Sequence, residues 1–469
     1  MSKASMSFIL RLKLDKQTAS FGKIATVISS SGGDLVAIDV IKENKQTTLR
    51  DLSINVDQKD AQNLIINELR KLEGISIQHT TDRTFLAHSG GKIHVVPKVK
   101  IDNRDDMSRV YTPEVARVCE AIDQDVERAH EYTIKKNAVA VISDGTAVLG
   151  LGKIKPEAAM PVMEGKAMLF KQFADIDAYP ICLDTQDPEE IITIVKALRP
   201  TFGGINLEDI ASPNCFSIEQ RLKQELNIPV FHDDQHGTAI VALAGLLNAL
   251  TLVSKPIETC KIIVCGIGAA GMAITNMLLK AGATNVIGVD VEGALHCRKK
   301  YERPGWNEFA NKTNPNNEEG ELCEVIKDAD VFIGVSAPGL LTQSDIKQMA
   351  KSPIVFALAN PNPEIQPEEA KPYAAVIATG RSDYPNQVNN VLCFPGIFRG
   401  ALDCRAKEIN DEMKLAAAKA IASTIQEDEL DAEYIIPSVF NREVVPSIRQ
   451  AVINAAITTG VAQIEPDSH

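Results

Sequence analysis

The sequence is poor in features that mark several classes of protein. Its 49 lysine and arginine residues are outnumbered by 62 acidic ones, which gives a formal net charge of −13. Because nucleic acids and anionic membranes are bound through a surplus of basic side chains, this balance argues against either as the main partner. It still allows a small anionic substrate to be bound locally.

Long apolar runs are also missing. No run reaches about 18 residues, and the opening MSKASMSFILRLKLD lacks the apolar core and small-residue cleavage site of a signal peptide. The sequence therefore predicts a cytoplasmic protein without a membrane partner. Nine cysteines are scattered from Cys119 to Cys404 without a CxxC pair, so we expect reduced thiols, mostly buried for packing.

With 469 residues the chain can form two or three domains. Residues 1–87 alternate in the order strand, helix, strand, strand, helix, strand, from SFILRLKL to ISIQHTT. This order, together with its glycine turns, resembles the ACT domain, a small α+β module that binds regulatory ligands. A small α+β domain used only for packing is the alternative.

The remaining chain has an α/β pattern, which we divide into domains at residues 88–250 and 251–469. In the second of these, helix-length stretches separate five apolar segments: KIIVCGIG, NVIGVDV, DVFIGVSA, PIVFALAN and AAVIATG. Such regular alternation predicts a doubly wound parallel sheet of the Rossmann type, followed by C-terminal helices.

The first strand of that sheet leads directly into a GxGxxG motif and a helix, the arrangement that holds a dinucleotide pyrophosphate. The residues expected to contact the coenzyme are Gly266, Ile267, Gly268, Ala269, Ala270 and Gly271. Asp290 ends the next strand, where it can accept a hydrogen bond from the ribose 2′-hydroxyl. Since the following Val291 and Glu292 bring no cation for a 2′-phosphate, the sequence favours NAD over NADP.

Two acidic pairs follow short apolar segments that we interpret as strands. Glu208 and Asp209 occur in INLEDI, and Asp233 and Asp234 occur in FHDDQHGTAI. Because the carboxyl ends of parallel strands form one crevice, both pairs can converge on a single hard cation. The expected metal is Mg²⁺ or Mn²⁺.

Two histidines flank the second pair and raise the alternative of zinc. His232 precedes the aspartates and His236 follows them. Surroundings rich in aspartate suit Mg²⁺ or Mn²⁺ better, so we interpret both histidines as polar groups at the entrance of a helix.

Lys166 lies in the apolar segment PVMEGKAMLF. In a helix it would have Val162 and Met163 one turn before it, with Leu169 and Phe170 one turn after it. Its ammonium must therefore find a carboxylate or lose its proton. A buried lysine with a lowered pKa is a good general base. Snorkelling to the surface is the alternative.

Tyr111 precedes a predicted helix start in YTPEVA, with Thr112 as the N-cap and Pro113 at the first helical position. This position alone is more typical of a hydrophobic staple than of a catalytic group.

The motifs YTPEVA, DGTAVLGLG, PVMEGKAMLF, INLEDI, FHDDQHGTAI, GIGAAG, LANPNPEI and NQVNNVLCFPGIFRGAL together resemble the bacterial malic enzymes, in order over residues 90–460. The resemblance implies that Tyr111 is the general acid and Lys166 the general base. It also implies that Glu208, Asp209 and Asp234 bind the metal, within a malic enzyme N-terminal domain at residues 88–250.

The same resemblance implies that Asn360 and Asn390 contact substrate or nicotinamide. We expect Asp233 to act indirectly, by orienting Lys166 or a bound water. The implied reaction is oxidative decarboxylation of (S)-malate to pyruvate and carbon dioxide with reduction of NAD. Decarboxylation of oxaloacetate is a further activity that the resemblance implies. A homo-oligomer and a small-molecule effector at the N-terminal domain are further expectations.

Two other functions remain open from the sequence. A malolactic enzyme would use the same metal and bound NAD but return the hydride to give lactate. A non-catalytic sensor of NAD and metabolites is disfavoured, because such a sensor has no need for a lysine among apolar residues or for metal carboxylates.

Overall fold

The structure is a computed structural model that describes residues 6–57, 59–148 and 151–466. Leu149 and Gly150 of the DGTAVLGLG motif lie outside the described residues. The chain forms two compact units, the first ending at His94 and the second beginning at Val95.

The first unit has the element order that its sequence predicts. Its elements are β1 (Met6–Asp15), α1 (Phe21–Ser30), β2 (Gly33–Glu43), β3 (Thr47–Val56), α2 (Lys59–Leu69), β4 (Ile75–Asp82) and α3 (Arg83–His88). The four strands form an antiparallel sheet in the order β2-β3-β1-β4. Alternate residues of β1, from Phe8 to Leu14, are buried against α1 and α2, which is the period expected of a sheet with one covered face.

The second unit carries two sheets. Its strands are β5 (Ala138–Ser143), β6 (Asp177–Cys182), β7 (Gly204–Leu207), β8 (Val230–His232), β9 (Lys261–Cys265), β10 (Asn285–Asp290), β11 (Gly293–Ala294), β12 (Val331–Gly334), β13 (Ile354–Ala357) and β14 (Val376–Thr379). The order of the first sheet is β6-β5-β7-β8, and that of the second is β11-β10-β9-β12-β13-β14.

The helices of this unit connect and cover the strands. They are α4 (Arg104–Val110), α5 (Val115–Gln124), α6 (Ala129–Tyr132), α7 (Pro156–Ala174), α8 (Pro188–Leu198), α9 (Asn214–Glu225), α10 (Asp233–Val253), α11 (Ala269–Lys280), α12 (Trp306–Lys312), α13 (Leu322–Val325), α14 (Gln343–Gln348), α15 (Pro367–Ala370), α16 (Phe394–Asp403), α17 (Asp411–Ala422) and α18 (Val444–Thr458). Short 3-10 helices occur at Val126–Arg128, Ile134–Asn137, Ile257–Thr259, Asn390–Leu392 and Glu427–Glu429.

All strand pairs of the first sheet are parallel, and in the second sheet only the pair β10–β11 is antiparallel. The five apolar segments predicted as parallel strands are therefore confirmed as β9, β10, β12, β13 and β14. The chain leaves β9 toward β10 and returns to its other side with β12. This reversal is the topological switch point at which doubly wound sheets bind ligands.

One long helix runs through the core of this unit. α10 has 21 residues and a mean hydropathy of 1.7, enough by length and composition to cross a membrane, but 67% of its apolar window is buried inside the protein. Its residues pack with those of both sheets in one hydrophobic cluster. It is thus a core helix, and its first turn carries Asp233 and Asp234.

Candidate active site

Three carboxylates meet at the carboxyl ends of β7 and β8. Glu208 and Asp209 follow β7, and Asp234 lies in the first turn of α10, directly after β8. Because β7 and β8 are parallel neighbours, one oxygen from each of the three side chains lies within 4.8 Å of the others. The backbone N–H of Asp209 donates to Oδ2 of Asp234 at 2.8 Å, which fixes the two segments to each other.

The carboxylates repel one another in a largely buried position. Burial, followed by the charge of Asp234, raises the pKa of Asp209 to about 7, and burial raises the pKa of Glu208 well above its usual value. Oδ2 of Asp209 is buried and has no hydrogen-bond partner among the described residues. Its backbone is also in the left-handed region, at φ 56°. An all-oxygen donor set with an unpartnered buried oxygen fits a hard divalent cation.

Lys166 projects from the middle of α7 toward these carboxylates. It is 6% exposed, and its Nζ lies 2.5 Å from Oδ2 of Asp233, 2.9 Å from Oε1 of Glu208 and 4.0 Å from the ring centroid of Phe394. Snorkelling to the surface, the alternative raised from the sequence, is therefore wrong.

The sequence left open whether the Lys166 ammonium pairs with a carboxylate or loses its proton. Burial lowers the pKa, but the charges of Asp233 and Glu208 outweigh it and raise the pKa above its usual value. Of the two outcomes considered from the sequence, the ammonium has found carboxylates.

Asp233 joins this lysine to an asparagine far along the chain. Its Oδ2 accepts from Lys166 and also from Nδ2 of Asn390 at 2.5 Å, although Asn390 is 157 residues away. Its Oδ1 is buried and unpartnered within the described part of the chain. The structure thus assembles Lys166, Asp233 and Asn390 beside the carboxylate cluster.

The two histidines lie outside the carboxylate group that could hold a metal. Nε2 of His236 is 2.9 Å from both carboxylate oxygens of Glu219, on α9. Oε1 of Glu219 also accepts from the backbone N–H of His232 at 3.0 Å and pairs with Lys223 at 2.7 Å. Glu219 therefore anchors the turn that presents the aspartates. Sequence reasoning missed it, although Cys215 one helical turn before it and Leu222 one turn after it place it on the apolar face of α9, which was a signal of burial.

The glycine motif forms the predicted turn between β9 and α11. Gly266 has φ 98°, a conformation that side chains disfavour, and a Cβ at Gly271 would overlap the carbonyl oxygen of Gly266. Gly268 precedes the first residue of α11. Asp290 ends β10, and its Oδ2 accepts from the backbone N–H of Ile267 at 2.7 Å. The loop and the acidic residue expected at the ribose are therefore in direct contact.

A cation does stand beside that acidic residue, contrary to the local sequence reading. Nη1 of Arg303 lies 3.3 Å from Oδ1 of Asp290. The guanidinium also lies 4.7 Å from the ring centroid of Trp306, whose Nε1 donates to the carbonyl of Ile267 at 3.0 Å. A residue 13 positions beyond Asp290 thus reaches the coenzyme loop, and proximity in sequence could not have identified it.

Two predicted residues lie apart from the group formed by Lys166, Asp233 and Asn390. Asn360 follows β13, is exposed, and lies against Gly380 after β14, at the carboxyl edge of the Rossmann sheet. Tyr111 directly follows α4 as its C-cap, and α5 begins only at Val115, so the predicted helix start at Thr112 was displaced. The Tyr111 side chain is 69% exposed, and within the described residues no hydrogen bond joins it to Lys166.

A switch-point sheet with a dinucleotide loop, beside a buried lysine and a carboxylate cluster suited to a divalent cation, defines a metal-assisted, nicotinamide-dependent dehydrogenase. Family models narrow this class. The N-terminal domain of malic enzyme matches residues 90–223, and the NAD binding domain of malic enzyme matches residues 235–457.

Individual relatives agree with these models. The NAD-dependent malic enzyme of Geobacillus stearothermophilus is 63% identical over 460 residues, covering 98% of this chain and 96% of the relative. The bifunctional malic/malolactic enzyme of Bacillus subtilis is 56% identical, covering 80% of this chain and 92% of its own. A crystal structure of malic enzyme from Pyrococcus horikoshii superimposes with a TM-score of 0.78 at 51% identity, over 80% of this chain and 89% of that one. The chain belongs to the malic enzyme family, as its motifs predicted.

Proposed function

We propose that the protein catalyses the oxidative decarboxylation of (S)-malate to pyruvate and carbon dioxide, with reduction of NAD. The observation that carries this proposal is the buried contact of Lys166 with Asp233 and Glu208, beside a carboxylate cluster, in a chain 63% identical to an NAD-dependent malic enzyme. Stability alone does not explain this group of buried charges, because burying them costs free energy. Such groups are typical of functional sites.

Glu208, Asp209 and Asp234 are the residues proposed to hold Mg²⁺ or Mn²⁺. Their convergent oxygens and the unpartnered Oδ2 of Asp209 support this assignment. When bound, the cation supplies a Lewis acid for the malate oxygens and NAD supplies the hydride acceptor. Asp233 is proposed to orient Lys166, because its Oδ2 contacts both that ammonium and the amide of Asn390.

Lys166 is proposed as the general base that takes the proton of the malate 2-hydroxyl. Its pKa is raised by carboxylates, so it can act as a base only when their charge is offset. The proton affinity of Lys166 therefore depends on whether the neighbouring carboxylates also bind a cation. Asn390 is proposed to contact substrate from the side of Asp233, and Asn360 to contact substrate or nicotinamide at the edge of the Rossmann sheet.

Tyr111 is proposed as the general acid that protonates the enol carbon to give pyruvate. In support, its motif YTPEVA comes first in the series of motifs that resembles the family. Its 69% exposure means that the residue reaches substrate only after closure or assembly of the protein. The Tyr111→Phe variant should therefore impair tautomerisation of enolpyruvate, a step that can be assayed without hydride transfer.

We propose that the first unit is an ACT-like domain that binds a small effector. Its βαββαβ order and antiparallel sheet support a ligand-binding module of this kind. Such an effector would act by binding two arrangements of the enzyme with different affinity. The cytoplasm is the proposed location of the protein.

A homo-oligomer is proposed from the apolar side chains that the first unit leaves exposed. β2 lies at the edge of its sheet, and Val36, Ile38, Val40 and Ile41 on it are 41–55% exposed. Edge strands with exposed apolar residues favour pairing with another chain. Sedimentation equilibrium of the full-length protein tests this proposal, and a monomer at micromolar concentration would contradict it.

Malolactic activity is the second candidate, and the 56% identity to a bifunctional malic/malolactic enzyme favours it. One experiment separates the two functions. Malate, NAD and Mn²⁺ are supplied, and NADH, pyruvate, lactate and carbon dioxide are measured together. Equal amounts of NADH, pyruvate and carbon dioxide are expected. Lactate without NADH would establish the malolactic reaction instead, and no consumption of malate would reject both.

A further inference from the structure

Glu364 is a buried carboxylate that the proposed chemistry does not use. It lies in the motif LANPNPEI, after β13, and its exposed fraction is 0%. Burial raises the pKa of its carboxyl group, and within the described residues the groups that act against this rise are backbone N–H groups and not a cation. Because a buried carboxylate costs free energy unless it is well hydrogen-bonded, its partners indicate why it is there.

The two oxygens of Glu364 join the loops that follow two neighbouring strands. Oε1 accepts from the backbone N–H of Ser336, after β12, at 2.9 Å. Oε2 accepts from the backbone N–H of Ala359, after β13, at 3.0 Å. Gly334 at the end of β12 leaves room for this bridge, since a Cβ there would lie 2.4 Å from Cδ of Glu364. The carboxylate thus fixes two loops at the carboxyl edge of the Rossmann sheet.

These two loops lie on the side of the coenzyme cleft opposite Asp290. Asp290 ends β10, on one side of β9, whereas β12 and β13 lie on the other side. Because a dinucleotide lies across the switch point, an adenosine ribose at Asp290 leaves the nicotinamide half over the loops after β12 and β13. Ser336 and Asn360, which directly follows Ala359, are exposed in these loops, while the carboxylate that holds them is buried.

We propose that Glu364 is a positioning residue for the nicotinamide half of the coenzyme. The proposal rests on the proposed function, since it requires NAD in the Rossmann cleft. An ionised carboxylate can accept from both loops at once, whereas a glutamine amide has one acceptor oxygen and turns its NH₂ toward the other backbone N–H. Glu364→Gln therefore keeps the size of the side chain but releases one loop. It also removes a buried charge, so the variant should fold.

Two ligands separate the halves of the coenzyme in the test. NADH and ADP-ribose, which lacks the nicotinamide, are each titrated into the full-length protein without malate, the first by fluorescence and the second by calorimetry. We expect Glu364→Gln to weaken NADH binding about tenfold, the effect of one lost hydrogen bond, and to change ADP-ribose binding by less than about twofold. A general loosening of the domain would instead weaken both ligands alike.

Asp345→Asn is the matched control. Asp345 is likewise buried, and its Oδ2 accepts from the backbone N–H of Thr342 at 2.9 Å, within the first turn of α14 and its N-cap. The ratio of NADH to ADP-ribose affinity in this variant should equal that of the wild type. If Glu364→Gln fails to fold, Glu364→Asp carries the same expectation, because its carboxylate is one carbon shorter and cannot reach both loops.

The ratio of the two affinities decides the result. The proposal is overturned if this ratio in the Glu364 variant equals that of the wild type, whether both affinities are retained or both are weakened. It is also overturned if Asp345→Asn shifts the ratio as much as Glu364→Gln does. A wild type that binds neither ligand would reject the Rossmann cleft as a coenzyme site, and with it the proposed function.

Discussion

The two compact units differ in whether they bury charged side chains. Within residues 6–57 and 59–94 the buried polar residues are Thr48 and Ser53, and the ion pair of Arg11 with Asp51, at 2.7 Å, stays partly exposed. The second unit instead buries Lys166 with several carboxylates. Since desolvated charges weaken a fold unless they are paired, their concentration in one unit marks where chemistry takes place. The first unit has an ordinary apolar core, which fits a supporting or regulatory role.

The contrast is tested most strongly by removing the buried ammonium. Lys166→Ala should lower kcat for malate oxidation by about 10²- to 10⁴-fold, because the proposed base is lost. Lys171→Ala is the matched control on the same helix, since Lys171 is exposed and pairs with Asp175 and Asp177. Steady-state NADH formation measures both. Near-normal oxidation by Lys166→Ala at neutral pH would reassign the base.

The carboxylate cluster is tested by a change at one proposed ligand. Asp234→Asn should weaken Mn²⁺ binding by on the order of a hundredfold and nearly abolish turnover, while NAD binding stays almost unchanged. Electron paramagnetic resonance of free Mn²⁺ measures the affinity. Asp184→Asn, at an exposed position of the same unit, serves as the control. Metal affinity equal to that of the wild type would remove Asp234 from the ligand set.

Coenzyme choice tests whether distant charges act at the Rossmann loop. Arg303 lies 3.3 Å from Asp290 and offsets the charge that would repel a 2′-phosphate. Arg303→Ala should therefore reduce kcat/KM with NADP by about tenfold, with a smaller effect with NAD. Lys300→Ala is the control from the same exposed loop. If both coenzymes lose efficiency equally, the arginine serves loop packing and not selectivity.

The pH dependence of metal binding tests the charge state of the cluster. Burial and Asp234 raise the pKa of Asp209 to about 7, so below that pH a proton must leave before the carboxylate can bind a cation. Mn²⁺ affinity should fall as the pH decreases from 8 to 6, with release of at least one proton per ion at pH 6, since the pKa of Glu208 is raised as well. Calorimetry in buffers of different ionisation enthalpy counts that proton. Pure pH independence would contradict the raised pKa.

The same shift affects stability in the opposite direction. In the metal-free protein the folded state holds this proton up to about pH 7, whereas an unfolded aspartate releases it near pH 4. Between these values the folded state binds more protons, so the free energy of unfolding should decrease as the pH rises through the window. Asp209→Asn should flatten that decrease.

The smallest effect on chemistry is expected from deleting the first unit. A chain beginning at Ser89 retains every proposed catalytic and metal-binding residue, so kcat should stay close to that of the full-length enzyme. An effector should change the apparent malate affinity of the full-length enzyme by roughly 5- to 150-fold. The truncated chain should show no such change. Amino acids and central metabolites are the compounds to screen. Identical malate curves for both proteins under every condition would make the unit purely structural.

Local sequence patterns were sufficient for much of the fold and for the residue types of the site. Apolar segments separated by helix-length stretches predicted the parallel strands, and the alternation in the first residues predicted β1. Carboxylates placed directly after apolar segments predicted a cluster at the carboxyl edge of a sheet, because strand direction determines at which edge such residues lie. The glycine motif could likewise be interpreted from the adjacent strand and helix segments alone.

What the sequence by itself determined was therefore the set of elements and the residues at their ends. Only the tertiary structure decided the partners of the charged side chains. Lys166 and Asp233 are 67 residues apart, and their contact raises the lysine pKa, whereas the sequence left open whether the lysine pairs with a carboxylate or loses its proton. The same holds for two other contacts between residues that are distant in sequence, that of Glu219 with His236 and that of Arg303 with Asp290. Electrostatic interactions act through space over a few ångströms, so they depend on the order of strands in the sheets and on helix packing, which no local pattern encodes.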